Sequence, residues 1–487
     1  MPGPPGDARR SSALLLVLAL VVLTANIGGI TLPPIDDCFY ARKGVEMERR
    51  GAFFTVTWNG QPSFTYPSLQ FWILGRSFAL FGENDAAARL PGALMATAIV
   101  AATGWIGAQA AFPVAGVTGM ALLLASPYFL NNARRCMTEV PLAFWTTMSL
   151  VVLLAGLRRP RLHLLLALPL AAGILTKSLL GFLPLLAYGG GALFSRELRR
   201  PLGRPWLWAG VMLGLAGGAT WTVHQWRHFG APALEEHYVT GVLAISTRPI
   251  GWLQRLTGYP LILLTWFQPV VIPAVMGLWF WWRNRGGLKA LDLLAHPSLP
   301  GARALVAAWW IVPFVLYAAS STQSARYLFP AFPAMAAIGG MWLTGRFPRF
   351  ASVFRGVVVP AALGILALLY WVAPQALSRD PSRAYVTGGV LLRSRIPPDE
   401  PLTFLGHDYW RFANPLLYYN ERTLEPSPND SADESILRAL TRSSRLLLVE
   451  KPRLAEVQQT APEARVVLEL PTGVVVSLGE PPARDGH

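Results

Sequence analysis

"ALLLVLALVVLTANIGGITLPPIDDCFYARKGVEMERRG", residues 13–51, joins two stretches suited to different solvents. Residues 13–30 carry no charge and, with their neighbours from 12, are long enough to cross a bilayer, which takes about 20 apolar residues. Arg9 and Arg10 precede them like the basic start of a secretory signal, but no small-residue cleavage site follows, so an uncleaved first helix is expected. Two acids, Asp36 and Asp37, then stand at the mouth of that helix. "YARKGVEMERRG" reads beyond them as an amphipathic helix lying on the membrane, and "WNGQPSFTYPSLQFW" as an interfacial aromatic segment.

The whole chain extends this pattern. Of its 487 residues 53% are hydrophobic and 14% charged, far below the quarter or so of charged residues usual in soluble proteins. Apolar windows near 12–30, 90–108, 115–131, 140–157, 162–176, 178–195, 206–224, 257–281, 304–320, 327–344 and 356–374 predict an all-α polytopic membrane bundle of about eleven spans. With the N-terminus inside, alternate loops carry Arg158, Arg159 and Arg161; Arg196, Arg199, Arg200 and Arg204; Arg283, Arg285, Lys289 and Arg303; and Arg346, Arg349 and Arg355. All are basic and poor in acids, as cytoplasmic loops should be. The net charge of +15 is therefore a membrane-orientation signal, and no nucleic-acid partner is expected.

The opposite, extracytoplasmic face carries the first loop, 31–89, a loop at 225–256 with Glu235, Glu236 and His237, and "STQSAR" at 321–326. The apolar run 67–82 is short and interrupted by Arg76, and is expected to be a juxtamembrane or re-entrant helix. Residues 1–378 form the predicted membrane domain. From 379 to 487 the short apolar runs "PLTFLGH", "RLLLVEK", "RVVLEL" and "GVVVSLG", with a helix around 431–442, predict a small extracytoplasmic α/β domain. No internal repeat of fixed period is evident.

Ionisable groups at a membrane edge are costly, which makes each a functional candidate. Asp36 and Asp37 follow the first span. Glu139, in "NNARRCMTEVPLAFW", begins another on the same side, where a helix-capping role is an equal alternative. Lys177, in "GILTKSLLGFL", interrupts an apolar stretch in a chain with four lysines against 38 arginines. Arg326 and Tyr327 open a further span. Arginine suits bidentate phosphate recognition, and the tyrosine hydroxyl adds a donor. Acids and cations on one face fit a lipid-anchored phosphate held at headgroup level, with a carboxylate free to act as base on a second substrate. No nucleotide-binding glycine loop is present. Cys38 and Cys136 are too few for a disulfide framework, and their spacing leaves open whether they pair.

These residues resemble the integral-membrane GT-C glycosyltransferases that use polyprenyl-phosphate sugars, the group of aminoarabinose transferases of lipid A and protein O-mannosyltransferases. The likeness is densest in "DDCFYA", "RRGAFF", "WNGQP" and "TYPSLQFW", and extends to "FGENDAAARLPGAL", "LTKS" and "ARYLFPAFPA". It implies Asp36 as the catalytic carboxylate with Asp37 beside it, Glu139 as a second acid, and Lys177, Arg326, Tyr327, Tyr66 and Tyr40 near the donor. The sequence departs from the resembled pattern at Tyr66, where relatives often carry Lys or His, and at Phe39, where Arg is frequent. The implied reaction moves a sugar from the polyprenyl-phosphate donor to an envelope glycolipid or glycan by one inverting displacement at a bacterial inner membrane. A protein acceptor is the alternative, and a flippase of polyprenyl-linked glycans the rival of another class. No cofactor follows, although two acids near a phosphate suit weak binding of one divalent ion.

Overall fold

The computed structural model describes residues 5–243, 251–283, 299–321, 323–373, 380–397, 400–426 and 446–478. The expected helix at 431–442, and Arg285 and Lys289 of one basic loop, lie outside the described residues.

Helix α1 (Pro5–Thr24) is followed by α2 (Asp36–Arg50), so the acid pair is not the frayed end of a span but the first turn of the next helix. Asp36 and Asp37 at its start and Arg49 and Arg50 at its end oppose the helix dipole. Gly51, at φ 63°, closes it in the left-handed conformation that suits glycine. A two-stranded hairpin follows, β1 (Thr57–Trp58) and β2 (Gln61–Pro62). Its turn residues Asn59 and Gly60 both have positive φ, 52° and 77°, which the Asn-Gly dipeptide accommodates in a tight hairpin. Glu46 of α2 accepts from the Asn59 and Gly60 amides at 2.9 and 3.1 Å, and so fastens the turn to the helix. The run expected to be juxtamembrane is α3 (Leu69–Phe81), a short apolar helix packed on α2.

The bundle proper contains α4 (Asp85–Ala110), α5 (Pro113–Leu124), α6 (Pro127–Ala133), α7 (Glu139–Arg158), α8 (Ala167–Lys177) and α9 (Leu183–Phe194). It is completed by helices at Pro205–Phe229, Trp252–Trp266, Val271–Arg283, Pro300–Ala319, Phe332–Arg346 and Val359–Val372. One continuous apolar core joins them. Small residues let them approach closely: a Cβ on Gly116 would collide with the Gly104 carbonyl oxygen, so α5 packs against α4 almost backbone to backbone.

Among the described residues six helical stretches are long and apolar enough to cross a membrane, or seven if the pair α5–α6, bent by 73°, is one span. The eleven expected windows therefore correspond in part to interrupted helices. The window 257–281 is two helices divided at Phe267–Val270, and the windows 162–176 and 178–195 run together through a short 3₁₀ turn at Ser178–Phe182.

Beyond residue 380 a five-stranded mixed sheet has the order β4-β3-β5-β7-β6. Its strands are β3 (Leu402–Leu405), β4 (Glu425–Pro426), β5 (Leu446–Glu450), β6 (Arg465–Glu469) and β7 (Gly473–Ser477). Four of them lie in the four apolar runs named above, while β4 carried no such signal. β3 is parallel to β4 and β5, and the other pairings are antiparallel. Strands β3, β5 and β7 are buried nearly throughout, between two separate apolar clusters, which accounts for their unbroken runs of Leu and Val. The helix Tyr409–Asn420 packs on α2, joining this region to the first loop.

Candidate active site

Four chain segments bring charge to one end of the bundle. Asp36 comes from the start of α2, Glu139 from the start of α7, Lys177 from the last turn of α8, and Arg326 from the 3₁₀ turn Ala325–Ala331. Arg326 Nη1 lies 2.5 Å from Asp36 Oδ2, with both side chains partly exposed. Lys177 Nζ lies 2.9 Å from Glu139 Oε1, and both are largely buried. Arg326 is also within electrostatic reach of Glu139, linking the two pairs. Glu139 Oε2 is buried without a hydrogen-bond partner, so this acid keeps one acceptor unused.

Tyrosines line the cluster. Lys177 Nζ is 5.7 Å from the ring of Tyr327 and 5.9 Å from that of Tyr66, within cation–π range. Tyr40 meets Tyr66 edge to face at 5.5 Å, and Tyr327 stacks on Tyr317 at 5.5 Å. His237, buried, donates from Nδ1 to the Phe64 carbonyl at 2.7 Å and so braces the segment that leads into Tyr66. The structure thus gathers seven of the eight residues singled out in the sequence.

Asp37 is the exception. It is fully buried, pairs with Arg135 Nη2 at 2.5 Å, and accepts from the Cys136 amide at 2.9 Å. Burial raises its carboxyl above the usual range against the opposing pull of Arg135. Adjacent acids therefore part. Asp36 faces the cluster, while Asp37 ties α2 to the turn before α7 and so sets the distance between the two acid-bearing loops. Cys38 and Cys136 are both buried free thiols in this packing.

Three further cations were not singled out in the sequence. Arg89, buried in α4, donates to the carbonyls of Ile27, Ile30 and Thr31 at 2.8 Å each and fixes the chain between α1 and α2. Arg135 holds Asp37. Lys43, on α2, is fully buried; it donates to Ser63 Oγ at 2.8 Å and sits 3.9 Å from the centre of the Phe39 ring. Burial pulls its pKa down to about 7, against Glu236 and Glu46, which pull it up. The scarcity of lysine that marks Lys177 marks Lys43 equally.

No three His, Cys, Asp or Glu side chains form a metal-ligating group among the described residues. Asp36 and Glu139 each already face a cation. This donor set does not fit a resident divalent ion.

Comparison with known proteins gives the same direction. Residues 65–224 match the dolichyl-phosphate-mannose-protein mannosyltransferase family. An uncharacterised protein of Aquifex aeolicus (strain VF5) is 26% identical over 374 residues, covering 73% of this chain and 69% of that protein. The undecaprenyl phosphate-alpha-4-amino-4-deoxy-L-arabinose arabinosyl transferase 1 of Pseudomonas fluorescens (strain Pf0-1) is 25% identical over 420 residues, 80% of this chain and 69% of the enzyme. The crystal structure of ArnT from Cupriavidus metallidurans bound to undecaprenyl phosphate superposes with a TM-score of 0.71 at 19% identity, covering 96% of this chain and 98% of that one. Nearly the whole chain thus shares the fold of that structure, and its residues 65–224 match the mannosyltransferase family.

Proposed function

We propose that the chain transfers a sugar from a polyprenyl-phosphate donor to an envelope glycolipid or glycan by a single inverting displacement. The observation that carries this reading is the convergence of Asp36, Glu139, Lys177 and Arg326, from four separate segments, at one end of the helical bundle. The Pseudomonas fluorescens relative is named for an undecaprenyl-phosphate sugar and the Cupriavidus metallidurans structure holds undecaprenyl phosphate, which supports the donor class.

In this reading the donor's phosphate displaces Asp36 from Arg326 and lies between Arg326 and Lys177. Tyr327 and Tyr66 offer hydroxyls to it, and Tyr40 packs Tyr66 in place. Asp36, released, takes the proton of the acceptor hydroxyl. The acceptor oxygen bonds to the anomeric carbon as the bond from that carbon to the phosphate oxygen breaks, and the electron pair leaves with the polyprenyl phosphate. Fixed cations at the leaving oxygen supply the electrostatic stabilisation that is commonly the largest catalytic contribution. Glu139 orients Lys177, and Asp37 serves as a positioning residue through Arg135.

The proposed topology has eleven spans, a cytoplasmic N-terminus, and residues 379–487 as an extracytoplasmic domain beside the site, in a bacterial inner membrane. The basic loops support it. Candidate groups confined to one end favour a reaction at the surface over a flippase path through the bundle. A protein acceptor is the second reading, favoured by the mannosyltransferase family match. Purified protein given radiolabelled polyprenyl-phosphate sugars, with lipid A, glycan and Ser/Thr peptides as acceptors, tests both. Label reaching lipid A or glycan supports the first reading, label reaching peptide the second, and no transfer to any acceptor overturns both.

A further inference from the structure

The two expected phosphate ligands both have carboxylate partners: Lys177 faces Glu139 and Arg326 faces Asp36. Lys43 does not. It is fully buried, and among the described residues no carboxylate lies within ion-pair distance of it. One of its three donors reaches Ser63 Oγ, and otherwise it meets the rings of Phe39, Phe71 and Tyr66 at 3.9, 5.3 and 6.0 Å. An ammonium taken from water with one hydrogen bond and no directly paired carboxylate, with Glu236 and Glu46 acting only at longer range, is costly in the free protein. Such a cost is understandable where an anion arrives from outside.

Its position fits a ligand role. Tyr66 is the ring shared by Lys43 and Lys177, 6.0 and 5.9 Å from the two ammonium groups. The cover over Lys43 on this side is thin. Ser63 and Tyr66 are partly exposed, Thr65 is exposed, and Thr65 Oγ1 is 3.2 Å from Ser63 Oγ, a short hydroxyl path from water to the ammonium. Phe39 and Tyr66, the two departures from the resembled pattern, are both rings against which Lys43 packs.

We propose that Lys43 is a donor-binding residue, its ammonium taking an oxygen of the donor's phosphate as a third cation beside Lys177 and Arg326. The proposal rests on the polyprenyl-phosphate reading above. The phosphate enters along Ser63 and Thr65 beside the Tyr66 ring, and the charge on Lys43 gains a direct counter-ion.

The test measures binding of a short-chain prenyl phosphate and of the matching prenol to detergent-purified wild type and Lys43→Met, together with thermal unfolding of both proteins without ligand. The expected result is a loss of about ten- to a hundredfold in affinity for the phosphate, unchanged prenol binding, and a ligand-free variant that melts no lower than wild type. Equal phosphate affinity in the two proteins, or an equal loss for phosphate and prenol, overturns the proposal while leaving the donor reading intact. Wild type that fails to bind the phosphate overturns both. Should Lys43→Met not fold, amine-reactive labelling of wild-type Lys43, read by mass spectrometry, replaces it. Slower labelling with prenyl phosphate than with prenol supports the role, and equal labelling refutes it.

Discussion

Arg326 and Asp36 are each other's counter-ion, 2.5 Å apart, although the proposed chemistry requires them to act on different molecules. The pair holds both side chains in place until an anion competes for the guanidinium. Asp36→Asn should therefore abolish transfer and, by freeing Arg326, tighten polyprenyl-phosphate binding about threefold to tenfold. A transfer assay beside a binding titration on the same preparation checks this; weaker binding would contradict it.

Glu139 and Lys177 are more deeply placed, and removing one partner of such a pair strands the other. Glu139→Gln should lower stability by about 3–5 kcal/mol. The double variant Glu139→Gln/Lys177→Met should recover much of that loss yet remain inactive. Thermal unfolding in detergent should thus rank wild type and the double variant above the single one, while activity ranks wild type alone.

Lys43 gives stability a pH dependence of predictable sign. Its pKa is about 7 when folded and near 10.5 when unfolded. Below pH 7 both states hold the proton and the full cost of burying charge is present; between 7 and 10.5 the unfolded state binds more protons, so stability rises with pH. The slope contributed is at most about 1.4 kcal/mol per pH unit. Unfolding midpoints measured from pH 7 to 10 should rise in wild type and stay flatter in Lys43→Met.

At the hairpin, Gly60→Val places a branched side chain at φ 77° and should cost about 1–2 kcal/mol. Because the turn is fastened to Glu46, the displacement reaches Ser63–Tyr66, and donor KM should rise more than kcat falls. Steady-state kinetics would show both constants unchanged if the hairpin were unconnected to the site.

Much of the site was legible because charge in apolar surroundings is rare. That rule exposes Glu139, Lys177 and Arg326 without any knowledge of the fold. It does not separate Asp36 from Asp37. They are adjacent, they have the same chemistry, and they differ only by the turn of about 100° per helical residue that aims one at Arg326 and the other at Arg135. Arg89 and Arg135 escaped notice for another reason: arginine is this chain's ordinary base, and the partners of these two, the carbonyls of Ile27–Thr31 and the Asp37 carboxylate, are distant in sequence. Hydropathy windows likewise detect apolar length but not breaks, and so run through the one at Phe267–Val270, where Pro269 lacks a backbone donor, and through the 3₁₀ turn at Ser178–Phe182.

The contact of the Tyr409–Asn420 helix with α2 belongs to a wider seam. Asn414 donates to the Ile35 carbonyl at 2.9 Å, the Leu32 amide donates to the Tyr419 hydroxyl at 2.6 Å, and Ser382 Oγ donates to the Leu32 carbonyl at 2.5 Å. The peptide groups immediately before Asp36 are thus clamped by residues translated several hundred positions later. During synthesis the acid-bearing loop leaves the ribosome long before its clamp exists, so the site should mature only when the last part of the chain has been made and docked.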